Sequence, residues 1–586
     1  MSDNRQYIVL GIHFGHDAGA AIVKNGQIIA DVSEERFNRI KHSADYPLKS
    51  IEYCLKTAGC SISEVDEIAL VGLKQYDGFE NVFGHKLKLP TPPRSRKTFR
   101  LTLYGLLLPL FRLLMPKDDN KETGVKTPIY CQQFFLDRLP KITLVEHHLA
   151  HAASAYYTTN DQRKMIIATI DGAGDNYSSC LWLGQNGKIT PLIKYGIESS
   201  IGWFYSNITE AIGWWHGEGE GKTMGLAPYG DFTKCRGQLD GFYPKFKNGI
   251  LTEPYHFPTF WQYKLMGAIH WHSDDARRLT ELVKKYGKEN IAAEAQRILE
   301  EQVMAFILPW LDKEKTDILT TAGGVFLNVK LNQRIWMTDL IGTHYPYANA
   351  GDSGLAVGAA LYAASENGPL AEKIHTHLYW GPEYSNREIE NILKLCGINY
   401  KQSNNVSGEA ARYLADNEIV AWFQGRMEAG PRALGNRSIL MSPKKAENKD
   451  IINAQVKFRE AFRPFCPSLI DEAKGDYLVN PRREPYMITS FDCQPNRKAE
   501  IPAVVHVDGT LRPQTVTKEE NPRYWHLIAE FGKLTGTPVV LNTSFNIRGE
   551  PIVCSPYEAI KCFFSSGIDI LVIGDFIIEK SRAPQR

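Results

Sequence analysis

One short plan is used twice in this chain, and it constrains the fold more than any other feature. Tyr7 to His13 reads as a buried strand, and "AAIVKNGQIIADV" after it is two apolar runs joined by Asn25-Gly26. Later, "MIIATIDGAGD" is a strand ending in an acid-and-glycine turn, and "SSCLWLGQNGKITPLI" is a second pair of runs around Asn186-Gly187. Asn-Gly between two such runs predicts a type I′ hairpin, because both residues tolerate the positive φ that turn needs. A strand, turn and hairpin that recur predict a duplicated α/β core. "KITLVEHHLAHAASAYY" reads as strand then helix, "TDILTTAGGVFLNVKLNQRI" as strand, glycine turn and helix, and "ANAGDSGLAVGAALYAA" as a Gly/Asp turn opening a helix of small residues. Glu289 to Leu311 is amphipathic at helical period.

The chain has 586 residues, too many for one core. The polar, turn-rich stretch "ENGPLAEKIHTHLYWGPEYSNREIE" marks a linker around residues 366–386. We therefore expect one domain over residues 1–370 and a second α/β domain over 385–586, whose strands include "NEIVAWFQGR" and "TPVVLNTSFN". Lys and Arg number 68 against 66 Asp and Glu, a net charge of +2 that argues against a bulk nucleic-acid binder. Ten cysteines without any Cys-x-x-Cys pair support neither a disulfide framework nor a zinc ribbon, and fit a reducing cytosol. The opening "MSDNRQYIVLGIHFG" carries an acid and enters a strand at once, unlike a signal peptide. Phe99 to Lys117 is apolar with basic flanks, but it contains Pro109 and Arg112 and is too short to span a bilayer. It reads as a helical insertion packed on the protein; the sharper alternative is an interfacial helix touching a membrane or a lipid-linked substrate.

Three constellations carry chemistry. "WWHGEGEGKTMGLAPYG" (Trp214–Gly230) imitates a phosphate loop and fails as one: His216 stands where the first glycine should be, Glu218 and Glu220 would repel phosphate, and no strand leads in. Its glycines and Lys222 still imply close backbone approach to something. His147 and His151, four apart, share one helical face; Asp171 ends the strand "MIIATID" and Asp352 lies in the turn "AGDSG", and a duplicated fold would aim both into one cleft. Two imidazoles and two carboxylates suit Fe(II), Zn(II) or Mn(II). The second domain sets arginines among glycines and prolines: Arg426, Arg432 and Arg437, then Lys457, Arg459 and Arg463, then His506 and Arg512, then Asn542, Ser544 and Arg548. One such arginine is a loop salt bridge; the set reads as an anion pocket.

Eleven segments in order, among them "GHDAGAAI", "SEERFNRIKH", "HHLAHAASAYY", "EGKTMGLAPYG", "GDSGLAVGAA", "GPRALGNRSIL", "KFREAFRPF", "HVDGTLRPQTV" and "LNTSFNIRGEPIV", resemble the O-carbamoyltransferases of antibiotic and nodulation-factor biosynthesis, the NodU/CmcH type. That resemblance runs from about residue 8 to 575 and weakens from Gly84 to Lys126. It implies a duplicated actin-like N-terminal domain and a YrdC-like C-terminal domain. Carbamoyl phosphate would be cleaved to carbamate and phosphate in the second domain. Carbamate and ATP would give carbamoyl adenylate and pyrophosphate, and the first domain would pass the carbamoyl group to a hydroxyl. The implied metal ligands are His147, His151, Asp171 and Asp352, holding a divalent ion, Fe(II) first, with zinc, manganese or magnesium open. Carbamoyl phosphate would be held by Arg432, Lys457, Arg463 and Arg512, with Asn542 and Ser544 nearby; Gly323, Gly324 and Asn328 would border the adenosine and Lys222 a nucleotide phosphate. His16, Asp17, Lys41 and His42 would line the acceptor pocket, with His16 the candidate base for the hydroxyl. The family further implies a cytoplasmic homodimer acting on a hydroxyl-bearing small molecule, with no nucleic acid and no membrane span. The sequence leaves that alcohol open. The rival readings are an actin-like sugar kinase, which would release ADP, and a non-enzymatic binder of tRNA or partner proteins.

Overall fold

A computed structural model of the chain describes residues 6–73, 76–83, 134, 136, 139–256, 273–371 and 377–580. Phe99–Lys117 lies outside the described residues. Both Asn-Gly turns form as expected: φ is 51° and 74° at Asn25 and Gly26, and 50° and 75° at Asn186 and Gly187. Each closes a hairpin, pairing Lys24 with Gln27 and Gln185 with Lys188. Successive positive φ values give the twist that keeps the flanking strands together.

The two copies build two five-stranded sheets of one topology. The first runs Gln27–Ser33, Gly19–Lys24, Ile8–His13, Glu67–Val71, Lys141–Val145; the second runs Lys188–Gly196, Tyr177–Gln185, Met165–Gly174, Ile318–Ala322, Thr343–Pro346. In each, an antiparallel meander leads into two parallel strands. This repeated order is the actin-like arrangement. The helices His147–Tyr157 and Leu355–Ser365 cross each other next to the sheets. A Cβ at Gly358 would stand 2.0 Å from the Ala150 carbonyl oxygen, so only glycine permits this approach. That crossing explains the small-residue helix and sets the distance between the histidines and the turn before Leu355.

The C-terminal half is one mixed eight-stranded sheet: Lys401–Gln402, Phe576–Glu579, Ile570–Ile573, Val420–Phe423, Arg437–Met441, Val539–Ser544, Cys466–Ile470, Gln514–Val516. The two halves share a core, since the cluster containing Val9, Ala150 and Leu355 also takes in Leu434, Cys466 and Met487. Polar clasps reinforce it. Arg36 Nη2 donates to the Gly430 carbonyl at 2.8 Å, Arg39 to the Pro551 and Ile552 carbonyls at 2.6 and 2.7 Å, and Asn332 Nδ2 to that of Ile488 at 2.7 Å. No helix among the described residues is long and apolar enough to cross a membrane.

One strand residue stores a penalty. Asp31 is 2% exposed and its Oδ2 has no partner. Burial pushes its pKa up to about 8, against a hydrogen bond with Asn349. An acid whose folded pKa lies above its unfolded value favours folding at low pH, and that advantage shrinks as pH rises from about 4 to about 8. We expect Asp31→Asn to raise the melting temperature by a few degrees at pH 8 and to leave it unchanged at pH 4.5. A variant that melts lower at pH 8 would show Asp31 charged and paired.

Candidate active site: a four-donor cluster and a guanidinium chamber

His147 and His151 project from one face of their helix, Asp171 from the strand Met165–Gly174, and Asp352 from the turn ahead of Leu355. One donor atom from each lies within 4.8 Å of every other. Asp171 Oδ2 is 3.1 Å from His151 Nε2 and 3.6 Å from His147 Nε2; Asp352 Oδ1 is 3.6 and 3.7 Å from the same atoms. Ligands held by bonds of about 2.1 Å in a tetrahedron stand about 3.4 Å apart, so these spacings fit an ion at the centre. The buried His147 Nε2 has no hydrogen-bond partner, as expected of a nitrogen kept for a metal. Burial lowers the His151 pKa, but Asp171 and Asp352 outweigh it and hold the ring at about 9, while Asp171 is held far down. A cation would replace that proton. The backbone N–H of His147 donates to Asp175 at 3.0 Å, fixing the start of the helix. His148 turns away to Thr169.

Beside this cluster Asp17 joins two stacked imidazoles. Its carboxylate lies 2.8 Å from Nδ1 of both His16 and His42, whose rings are 5.0 Å apart and inclined by 14°. Asp17 and His42 both have positive φ, a strained pairing that the surrounding contacts hold. Burial works against charge on His16, but Asp17, helped by Asp352 and Asp171, raises it to about 9. The expected base therefore carries a proton at neutral pH. Lys41 Nζ meets Glu218 at 2.6 Å, which ties this histidine group to the loop Trp214–Gly230.

That loop is a brace, and its Lys222 does not lie in a Walker turn. A helix, Ile201–Ile212, precedes it, and Lys222 sits in the short helix Glu220–Leu226. Glu220 Oε1 accepts from the Gly217 N–H at 2.8 Å and from Ser206 Oγ at 2.7 Å. Lys222 Nζ reaches Glu460 of the C-terminal half at 3.6 Å and lies 5.7 Å from the Trp214 ring centre. It marks the junction of the two halves.

On the far side of that junction Arg463 and Arg512 lie near enough to Arg432 and Arg459 to disfavour their charge. Burial first, then the neighbouring guanidiniums, push Arg432 and Arg459 down to about 9; burial also lowers Arg463, with Glu460 opposing it and Arg512 adding to it. Glu460, 3.8 Å from Arg463, is the nearest carboxylate. Arg432 Nε is buried without a partner. The loop presenting Arg432 is held by Glu428, whose Oε1 accepts from the Leu434, Asn436 and Arg437 N–H groups at 2.7, 2.8 and 3.2 Å. Gathered cations short of anions repel one another, and their planar forks have the geometry that matches phosphate oxygens.

Other expected residues are used differently. Lys457 Nζ contacts Ser544 Oγ at 3.2 Å, and the Asn546 carbonyl and Oδ1 at 3.0 and 2.9 Å, as well as the Ser544 carbonyl, so its three protons hold the loop. Ser544 Oγ itself donates to Asn546 Oδ1 at 2.6 Å. Asn542 is buried, with Nδ2 on Ser468 Oγ at 3.0 Å and Oδ1 unpartnered. Asn328 caps its helix and exchanges hydrogen bonds with Gln296 at 2.9 and 3.1 Å. Gly323 has φ of 99°, and a Cβ on Gly324 would stand 3.0 Å from Asp171 Oδ1, which places this turn beside the four-donor cluster. Arg426 and Arg437 spend their guanidiniums on carbonyls, among them those of Trp380 at 2.6 Å and Gln424 at 2.6 Å. Arg459, visible in the sequence as one of the arginine set, lies beside Arg463 and Arg512, while Glu460 and Glu428, in the same segments, carry the bridge to Lys222 and the support of the Arg432 loop.

Two family patterns match the chain, "Carbamoyltransferase N-terminus" over residues 8–361 and "Carbamoyltransferase C-terminus" over residues 411–580. An uncharacterized protein of Synechocystis sp. is 34% identical over 627 aligned positions, which cover 99% of this chain and 97% of that protein. Nodulation protein NolNO of Sinorhizobium fredii is 36% identical over 581 positions, covering 97% of this chain and 80% of its own. Among solved structures, T. kodakarensis HypF aligns with 62% of this chain and 48% of its own at 13% identity, with a TM-score of 0.30.

Proposed function

Because the chain belongs to the carbamoyltransferase family and is a carbamoyl-transferring enzyme, we propose that it is an ATP-dependent O-carbamoyltransferase whose two chambers act in sequence. The observation that carries this reading is the gathering of four part-buried arginines, Arg432, Arg459, Arg463 and Arg512, with Glu460 the one carboxylate paired to them among the described residues. Carbamoyl phosphate enters there, Arg432, Arg463 and Arg512 take its phosphate, and water cleaves it to carbamate and phosphate. A carbamate oxygen then attacks the α-phosphorus of ATP, pyrophosphate leaves, and carbamoyl adenylate forms. Free carbamate decarboxylates in water, so a chamber that admits the one water used in cleavage, keeps out bulk solvent and fixes the nucleophile supplies both protection and effective concentration.

Transfer belongs to the N-terminal half. An acceptor hydroxyl lies against His16, Asp17, Lys41 and His42; its oxygen attacks the carbonyl carbon, and AMP leaves. A metal held by His147, His151, Asp171 and Asp352 would polarise that carbonyl or offset charge on the AMP phosphate. His16, protonated beside Asp17, first serves that phosphate as a donor; it becomes a base for the hydroxyl when its neighbours' negative charge is offset. Lys222 and Glu460, 3.6 Å apart, stand where the intermediate passes from one half to the other.

The test is incubation with ATP, with and without carbamoyl phosphate. Pyrophosphate that appears only when both are present supports the reading, and ADP overturns it in favour of a kinase. Arg463→Ala is expected to end carbamoyl phosphate use and leave the fold intact; wild-type turnover in that variant contradicts its place in the chamber.

A further inference from the structure

The guanidinium chamber contains a thiol. Cys466 opens the strand Cys466–Ile470, is 4% exposed, and pairs across the sheet with Asn542. Arg512 Nε donates to its Sγ at 2.9 Å. No other hydrogen bond from the Arg512 side chain occurs among the described residues.

An arginine in such a place has a geometric difficulty. Its neighbours are cations, so no carboxylate is at hand to fix its fork, and a fork that rotates freely loses the entropy advantage of bidentate phosphate binding. Sulfur is a weak acceptor, and thiols pack as small apolar groups. It can hold the Nε–H without supplying a full negative charge that would compete for the ligand. Holding Nε leaves both terminal nitrogens facing away from the anchor, the edge that a phosphate takes bidentately.

We propose that Cys466 is a positioning residue for the reaction: its Sγ anchors Arg512 through Nε and presents the terminal nitrogens of that guanidinium to the phosphate of the substrate. This rests on the assignment of the chamber to carbamoyl phosphate and adds a residue to it. Cys466 touches no reacting atom, so its removal acts on binding: the KM for carbamoyl phosphate rises while kcat and the KM for ATP stay near wild type.

The test uses the full chain and inorganic phosphate as the direct probe, with calorimetric titration of wild type, Cys466→Ala, Cys466→Ser, Arg512→Ala and the Cys466→Ala/Arg512→Ala pair. Phosphate is expected to bind Cys466→Ala about tenfold more weakly and Cys466→Ser to recover most of that loss, because a hydroxyl also accepts from Nε. In the Arg512→Ala background the Cys466 substitution should change phosphate affinity less than twofold. Steady-state kinetics should show the same tenfold rise in KM for carbamoyl phosphate without a fall in kcat. Wild-type phosphate affinity in Cys466→Ala, or an equal loss with and without Arg512, overturns the anchoring role. Arg432→Ala separates the two layers: if it abolishes phosphate binding while Cys466→Ala does not weaken it, the chamber stands and the anchor falls. If wild type itself does not bind phosphate, both fall.

Discussion

Arg432→Ala should end turnover with carbamoyl phosphate and leave the protein at least as stable as wild type when no ligand is present. Arg432 has a buried Nε without a partner and feels Arg512 and Arg463 as like charges. Losing a buried charge-assisted contact to a ligand costs about 4 kcal/mol, or about a thousandfold. Removing an uncompensated buried cation relieves repulsion, so the empty protein does not pay for the change. These two effects have opposite signs, and together they identify an anion chamber. Wild type should melt higher as inorganic phosphate is added, because phosphate binds only the folded state; the variant should show no such rise. A structural arginine would behave oppositely, with a large drop in melting temperature and a phosphate response that survives.

His151→Ala should separate the two chambers. His151 is fully buried and contributes one of the four donor atoms. Three donors remain, too few to keep a fourfold site closed, so the variant should lose its metal on dialysis. Transfer to an acceptor should slow by at least about a hundredfold. Pyrophosphate release from ATP and carbamoyl phosphate should change by less than about threefold, since adenylate formation is assigned to the other half. His151→Gln, which keeps a polar side chain of similar bulk, guards against a fold defect. Metal content equal to wild type, or equal loss of both half-reactions, would detach the cluster from the transfer step.

The sequence revealed what depends on near neighbours. Asn25-Gly26 and Asn186-Gly187 announce their turns because positive φ is a local demand. The histidine pair is visible because helical period alone sets its shared face. The arginines are different. Arg426, Arg432 and Arg437 lie in one glycine-rich segment, and nothing in that segment tells which ones bind carbonyls and which one is left without a partner. Arg426 reaches the carbonyls of Ile29, Trp380 and Gly381, all outside that segment, so its assignment is tertiary. Lys457 was likewise visible as a cation but not as the clamp of the turn at Asn546. Glu460 hides among basic residues, and its bridge to Lys222 exists only because the two halves meet.

Under the proposed function, a carbamoyl group moves from carbamoyl phosphate to an alcohol through an adenylate. Its most direct test is to incubate the enzyme with ATP, carbonyl-labelled carbamoyl phosphate and a library of hydroxyl compounds, following label by mass. One labelled carbamoyl group is expected on an acceptor oxygen, together with equal amounts of AMP, pyrophosphate and phosphate. A labelled product formed without ATP, or ADP with a phosphorylated alcohol, would contradict it.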